Sequence, residues 1–176
     1  SGYAEIFKHS LISDSIFNLL LKNHQLYYNE EIINNSIQIK NKIVSNDKFE
    51  QNIRKNLNFG HTIGHALESY FLNKENKLTH GEAIAIGMVC ESYISNKIFN
   101  LDFQLVKKIK NHLLKIFPKV NLQNHKYEEI IKLMSFDKKN HLDKLKFVLL
   151  KELGIVKIDV EVSENLIIES FKFYLS

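Results

Sequence analysis

The sequence predicts a mainly α-helical, multi-helix domain with one small β-hairpin near its end, and three observations carry this prediction. Apolar residues recur at helical spacing in successive stretches of the 176 residues. Pro118 is the only proline, and no run of Gly, Pro or Ser is long enough to act as a flexible linker. The hydrophobic content of 44% is sufficient for a sizeable core. We therefore expect residues 1–176 to form one domain.

Helices in the first part of the chain are indicated by apolar stripes and start signals. Asn46 and Asp47 interrupt a helical pattern, and Asp47 with Glu50 matches the D-x-x-E form of a capping box. A new helix is therefore expected to begin there. The helices predicted in this part span residues 3–9, 13–22, 29–45 and 47 to about 72.

A second capping box marks the next helix. The Thr79 oxygen can accept from the backbone of Glu82 while the glutamate reaches back, so a helix is expected to begin after Thr79. Ala83, Gly87 and Cys90 form a stripe of small residues on it, which permits close approach of a neighbouring helix. The remaining predicted elements are helices near 102–116 and 126–135, hairpin strands at 146–150 and 155–160 around Gly154, and a terminal helix from Ser163 to Tyr174.

Charge and composition narrow the classes of function. The formal charge is +4 and the pI about 9.0, but the lysines are spread among acidic residues, which favours solvated helix faces or a small anionic substrate over nucleic acid. A single cysteine, Cys90, excludes an internal disulfide and favours a reducing compartment. No apolar run approaches the ~20 residues that span a bilayer. We expect a soluble, cytoplasmic protein with no nucleic-acid or membrane partner.

One stretch carries an unusual set of polar side chains at helical spacing. At about 100° per residue, Arg54, Asn58, His61 and His65 fall within a stripe about 60° wide. Apolar residues occupy the opposite side of the same helical projection. A guanidinium, a carboxamide and two imidazoles on one face indicate a functional surface.

Two glycines lie inside the same stretch. Gly60 and Gly64 each lower helix propensity by about 1 kcal/mol relative to alanine. Their presence indicates that either a ligand or a packed helix approaches the backbone closely.

The histidines suggest a metal site. A pair at i, i+4, such as His61 and His65, is a weak signal on its own, but His80 offers a third imidazole and Glu5 a carboxylate. Two imidazoles, one carboxylate and an open position describe a catalytic rather than a structural zinc site. Spacing alone would make His65 a ligand beside His61.

Four segments of the chain carry a recognisable pattern: Ser1 to Lys8, Asn58 to Ala66, His80 to Met88, and Asp137 to Lys139. They closely resemble the signature segments of 3-dehydroquinate synthases, in the same order. The resemblance extends over essentially the whole chain and includes Lys40, Asp47 and the late hairpin. It implies a C-terminal metal- and substrate-binding domain.

The resemblance assigns roles to individual residues. It implies that Glu5, His61 and His80 bind a divalent metal, zinc or cobalt, and that His65 instead faces the substrate near its phosphate and relays protons. Charged and amide donors suit a substrate with a carboxylate and a phosphate. The positions that match the family's substrate pocket are Lys8, Lys40, Arg54, Asn58, His65, Lys138 and Lys139. The catalytic residues expected among them are Lys8, Arg54, Asn58 and His65.

The implied reaction belongs to the shikimate pathway of aromatic amino-acid biosynthesis. Enzymes of this family convert 3-deoxy-D-arabino-heptulosonate 7-phosphate to 3-dehydroquinate with loss of phosphate, using NAD and a metal that acts as a Lewis acid. This chain contains no G-x-G-x-x-G after a strand and no alternation of strands and helices. NAD is therefore expected to bind an N-terminal domain absent from the chain, which would be inactive alone. The full-length enzyme is expected to be a homodimer.

Two alternatives stay open at this point. The chain could belong to another sugar-phosphate cyclase or to a metal-dependent polyol dehydrogenase of the same superfamily. Asn58, His65 and the segment Asp137 to Lys139 favour the dehydroquinate branch, because an alcohol dehydrogenase has little use for so many cations. The second alternative is a non-catalytic helical interaction or nucleic-acid-binding module with structural histidines.

Overall fold

α-Helices dominate the computed structural model, which describes residues 2–13, 15–22, 29–122, 127–135 and 145–176. The mainly helical class and the hairpin are as predicted. Of the described helices, none has the length and apolar character needed to cross a membrane. The elements are α1 (Gly2–Ser13), α2 (Phe17–Lys22), α3 (Glu30–Asn46), a 3-10 helix (Ile53–Asn58), α4 (His61–Phe71), α5 (His80–Phe99), α6 (Phe103–Ile116), α7 (Tyr127–Ser135), β1 (Lys146–Glu152), β2 (Ile155–Glu161) and α8 (Glu164–Leu175).

Helix α5 lies at the centre of the domain and contacts α1, α4, α6, α8 and β1. Buried residues, most of them apolar, lie on most sides of α5 itself, as expected of a helix in the core. The predicted capping box starts it: Glu82 Oε2 accepts from the Thr79 backbone at 2.8 Å, and Thr79 Oγ1 accepts from the Glu82 backbone at 3.4 Å. Ala83 and Cys90 of the predicted small-residue stripe are fully buried.

Glycines allow α4 to lie directly against α5. A Cβ on Gly87 would stand 1.9 Å from the carbonyl oxygen of Gly60, and a Cβ on Gly64 would stand 3.1 Å from the Ile84 Cα. The first distance leaves no room for a side chain, and the second is tighter than an ordinary Cβ contact. A packed helix, and not a ligand, therefore accounts for the glycines noted in the sequence, and it holds the start of α4 against α5.

The single helix predicted over residues 47 to about 72 is wrong. The chain forms a 3-10 helix that ends at Asn58, and Gly60, in the left-handed region with φ 81°, separates it from α4. Glycine adopts this conformation without the steric cost that other residues have. Arg54 and Asn58 therefore lie on a different element from His61 and His65, and the four do not share one helix face.

Asp47 still binds backbone donors, although it does not start the predicted helix. Its carboxylate accepts from the backbone N–H of Gln51 at 3.0 Å, of Asn52 at 2.7 Å and of Arg54 at 3.1 Å. Glu50, the expected capping partner, has a positive φ of 55°. The acidic pair thus organises a turn before the 3-10 helix.

The predicted hairpin is present, and it makes hydrogen bonds to α1 and to the 3-10 helix, which carry candidate site residues. β1 and β2 pair antiparallel, with Phe147 opposite Val160. At the turn, the Gly154 N–H donates to the carbonyl of Leu11 in α1 at 2.8 Å. On β2, Asp159 accepts from Lys55 of the 3-10 helix at 2.7 Å. The hairpin therefore braces the end of α1 and the 3-10 helix from one side.

Candidate metal centre

Three helix starts bring a carboxylate and two imidazoles together. Glu5 lies in the first turn of α1, His61 is the first residue of α4, and His80 is the first residue of α5. One ligand atom from each lies within 4.8 Å of the other two. The structure thus places side by side the three residues that the resemblance implies as metal ligands.

The space between these atoms fits a small cation. Glu5 Oε1 lies 3.6 Å from His61 Nε2 and 4.0 Å from His80 Nε2, both too long for a hydrogen bond. This oxygen is buried, and among the described residues it has no hydrogen-bond partner. Tetrahedral zinc, with bonds of about 2.0–2.1 Å, sets ligand atoms roughly 3.4 Å apart. The residues present therefore fit a divalent ion.

Both imidazoles turn Nε2 toward Glu5. His61 Nδ1 lies 3.2 Å from the carbonyl oxygen of Phe59, and His80 Nδ1 lies 3.1 Å from Glu68 Oε2. Carbonyl and carboxylate oxygens only accept, so each Nδ1 carries a hydrogen and donates. In a ring whose one hydrogen is on Nδ1, the Nε2 lone pair is free to bind a metal.

The electrostatics keep Glu5 and His61 in the protonation states that metal binding requires. Burial, with the nearby Lys8 charge, lowers the pKa of His61 to about 4, so its ring is neutral at pH 7. Burial on its own would raise the pKa of Glu5, but the charge and hydrogen bond of Lys8 outweigh it, and the pKa lies below its ordinary value. Metal ligands must be deprotonated to bind, and these two already are.

Lys8 donates a hydrogen bond to one oxygen of the Glu5 carboxylate and not to the other. Its Nζ donates to Glu5 Oε2 at 2.8 Å, and only 1% of the residue is exposed. Burial lowers the pKa of Lys8, against the opposing charge of Glu5. Lys40 is exposed on α3, close enough for its charge to lower the pKa of Lys8 further.

His65 stands beside the three candidate ligand residues. Its ring centroid lies 5.0 Å from that of His61 and 5.8 Å from that of His80, and the residue is exposed. A second group of possible ligands, made by His65, Glu68 and His80, also fits within 4.8 Å. The two groups share His80.

Arg54 and Asn58 are arranged by a residue that the sequence had suggested only as a cap. Glu50 Oε1 accepts from Asn58 Nδ2 at 2.8 Å, and Glu50 Oε2 lies 3.7 Å from Arg54 Nε. Arg54 also donates to the carbonyl of Lys48 at 3.0 Å. Lys138 and Lys139 lie outside the described residues.

Glu91 is a buried residue of the site that sequence reasoning missed. It is fully buried in α5, and its carboxylate accepts from the backbone of Gly60 at 2.6 Å and of Ile63 at 3.3 Å. Gly60 has no side chain with which to cap α4, and Glu91 replaces that cap from another helix. Burial raises the pKa of Glu91 to about 8, although the backbone donors oppose the rise.

Curated proteins of similar sequence align with nearly all of the chain. A sequence model of the family 3-dehydroquinate synthase C-terminal matches residues 2–140. A 3-dehydroquinate synthase of Parabacteroides distasonis is 37% identical over 181 residues, which cover 99% of this chain and 51% of that protein. Another, from Dictyoglomus thermophilum, is 35% identical and covers 98% and 50%. The chain spans about half the length of the curated relatives that it matches.

Two solved structures have a similar fold. A 2-deoxy-scyllo-inosose synthase complexed with carbaglucose-6-phosphate, NAD+ and Co2+ has a TM-score of 0.76 at 27% identity, covering 97% of this chain and 49% of that one. The 2-epi-5-epi-valiolone synthase ValA of Streptomyces hygroscopicus subsp. jinggangensis, with NAD+ and Zn2+ bound, has a TM-score of 0.80 at 19% identity, covering 98% and 49%. The second likeness shows the fold alone. The predicted fold class is confirmed.

Proposed function

The chain belongs to the 3-dehydroquinate synthase C-terminal family, and from this membership we propose that it is the metal- and substrate-binding part of a 3-dehydroquinate synthase. Such an enzyme converts 3-deoxy-D-arabino-heptulosonate 7-phosphate to 3-dehydroquinate and releases phosphate. The observation that carries the proposal is the convergence of Glu5, His61 and His80, from three helix starts, on one space of the size of a metal ion.

The proposed ligand atoms are Glu5 Oε1, His61 Nε2 and His80 Nε2, and the proposed ion is zinc or cobalt. Two imidazoles and one carboxylate leave a position open, as in catalytic zinc sites. When bound, the ion supplies Lewis-acid stabilisation to a substrate hydroxyl that loses its proton. Lys8 holds the Glu5 carboxylate in place and keeps it ionised.

Cationic and amide side chains that match the family's substrate pocket would hold the two anionic ends of the substrate. Arg54 and Asn58 are prearranged by Glu50, which lowers the cost of ordering them when substrate binds. His65 is exposed beside the centre, so it can exchange a proton with a substrate group there. The proposed substrate-binding residues are Lys8, Lys40, Arg54, Asn58, His65, Lys138 and Lys139.

NAD is proposed to bind another domain of the full-length protein, on the N-terminal side. Two observations support this: the chain spans about half the length of its relatives, and its sequence contains no dinucleotide-binding G-x-G-x-x-G motif. The chain alone would then lack turnover. A homodimer of the full-length enzyme stays a prediction.

One alternative substrate has a specific observation in its favour. The likeness to a 2-deoxy-scyllo-inosose synthase at 27% identity favours a cyclase that acts on another sugar phosphate. The cations around the centre fit either phosphorylated substrate.

Phosphate release by the full-length protein, given NAD+ and Zn2+, tests the proposal. We expect turnover of 3-deoxy-D-arabino-heptulosonate 7-phosphate at least ten times faster, in kcat/KM, than of glucose 6-phosphate, a difference of about 1.4 kcal/mol. Unphosphorylated polyols should not be oxidised. Faster phosphate release from glucose 6-phosphate would replace the proposal with the alternative cyclase.

A further inference from the structure

We propose that Glu68 is a positioning residue of the metal centre, which holds the ring of His80 so that Nε2 points at the ion. The inference rests on the proposed function, because it takes Glu5, His61 and His80 as the ligands. Sequence reasoning assigned no role to Glu68. It lies on α4, seven residues after His61, and therefore on the same side of that helix.

The two histidine ligands differ in what holds their rings. The His61 side chain is 14% exposed, and its Nδ1 donates to the backbone carbonyl of Phe59. The His80 side chain is 36% exposed, and the hydrogen bond described for its Nδ1 is the one to Glu68 Oε2, at 3.1 Å. Packing and main chain fix the first ring, whereas the second depends on a side-chain carboxylate.

The Glu68 contact also selects the tautomer that a metal requires. A neutral imidazole carries one hydrogen, and a carboxylate accepts but does not donate. The hydrogen of His80 is thereby kept on Nδ1, and the lone pair stays on Nε2, which lies 4.0 Å from Glu5 Oε1. Water in place of Glu68 could bond either tautomer and would leave the ring free to turn. Loss of such a partner typically weakens metal affinity 10- to 100-fold.

The backbone around Glu68 supports a fixed distance to His80. The helices that carry the two residues touch through Gly64, where a Cβ would stand 3.1 Å from the Ile84 Cα. With α4 and α5 locked at this contact, one turn from each residue, the carboxylate reaches the ring without adjustment of either helix.

A competing arrangement makes Glu68 a ligand itself, together with His65 and His80. The geometry opposes it. The separation of 3.1 Å between Glu68 Oε2 and His80 Nδ1 lies within the range of an N–H···O hydrogen bond. A ring whose Nδ1 carries the hydrogen has no lone pair on that atom for a metal.

Zinc affinity of the full-length protein at neutral pH, measured by competition with a chromophoric chelator, tests the role of Glu68. We expect Glu68→Ala to weaken zinc binding by about 10- to 100-fold. Glu68→Gln should retain most of the affinity, because its amide oxygen still accepts from Nδ1. Glu75→Ala removes an exposed carboxylate after the end of the same helix and should leave the affinity unchanged.

The visible spectrum of the Co2+-loaded protein gives a second readout, which a general loss of stability would not move. The Glu68→Ala spectrum should differ from that of the wild type, and the Glu68→Gln spectrum should match it. Wild-type affinity and spectrum in Glu68→Ala would overturn the inference. Equal loss in Glu68→Ala, Glu68→Gln and His65→Ala would also overturn it and make Glu68 a ligand.

One further variant separates this inference from the proposed function. If His80→Ala loses zinc while Glu68→Ala binds it like the wild type, the inference fails and the proposed metal site stands. If His80→Ala binds zinc as tightly as the wild type, the metal site is wrong and the inference fails with it.

Discussion

At the scale of single residues, the two oxygens of Glu5 differ in their surroundings, and this difference distinguishes the proposed ligands from the residues beside them. Lys8 takes one oxygen of Glu5, and the other oxygen faces the imidazoles of His61 and His80. His65 lies close to both rings but outside this set. Ligand and proton-transfer roles should therefore be separable by substitution.

His65→Ala tests this separation. Because His65 is proposed to move a proton and not to hold the metal, we expect turnover of the full-length enzyme to fall by about 10²–10⁴-fold. Zinc content should stay at the wild-type level. Loss of zinc in parallel with activity would instead make His65 a ligand.

Glu91 leads to a prediction about pH. Burial raises its folded-state pKa to about 8, above the ordinary value for a glutamate. A group with a raised pKa stabilises the fold at low pH, and that contribution is lost as pH rises through about 8. Glu91→Gln keeps the shape and cannot ionise.

Urea denaturation at about pH 6 and about pH 9 measures the effect. The free energy of unfolding of the wild type should fall, relative to that of Glu91→Gln, from the lower pH to the higher pH. A stability difference that is constant, or that shifts in favour of the wild type at the higher pH, would show that the carboxylate is not under this burial penalty.

At the scale of elements, two similar local patterns had different outcomes. The capping box at Thr79 starts α5 as predicted, whereas the box at Asp47 does not start a helix. The second does not, because the Asp47 carboxylate accepts from the backbone N–H groups of a turn and Glu50 has a positive φ of 55°, which does not belong to a right-handed helix. Further on, Gly60 lies in the left-handed region and against α5, which separates the 3-10 helix from α4. Local spacing can show a cap, but not the close contact between helices that interrupts a longer helix.

The same limit explains which site residues the sequence could show. The four matched segments identify Glu5, His61 and His80 as candidate ligands from the sequence alone. Glu68 and Glu91 were missed because each acts on a residue 12 or 31 positions away in the chain. No spacing rule within one helix reveals such a partner.

Gly87→Ala tests the contact between α4 and α5. The new Cβ would meet the Gly60 carbonyl at 1.9 Å, so the start of α4 must move, and His61 with it. We expect a loss of stability of about 1–3 kcal/mol or more, together with weaker zinc binding. The control is Gly2→Ala, where no heavy atom lies within 4 Å. A Gly87→Ala protein as stable as the control would contradict this packing.

At the scale of the whole molecule, the proposal that NAD binds another domain leads to a prediction about activity. The chain spans about half the length of its curated relatives, and the similar cyclase structures contain NAD+. The isolated 176-residue chain, given NAD+ and Zn2+, is expected to show no turnover, whereas the full-length protein should be active. Activity of the isolated chain would place the NAD site within it.

The central claim is that Glu5, His61 and His80 hold one divalent ion. Anomalous diffraction at the zinc edge, from crystals of the full-length protein, locates that ion directly. We predict a single peak about 2.0–2.2 Å from Glu5 Oε1, His61 Nε2 and His80 Nε2. A peak on His65 and Glu68, or none near these three atoms, would contradict the account.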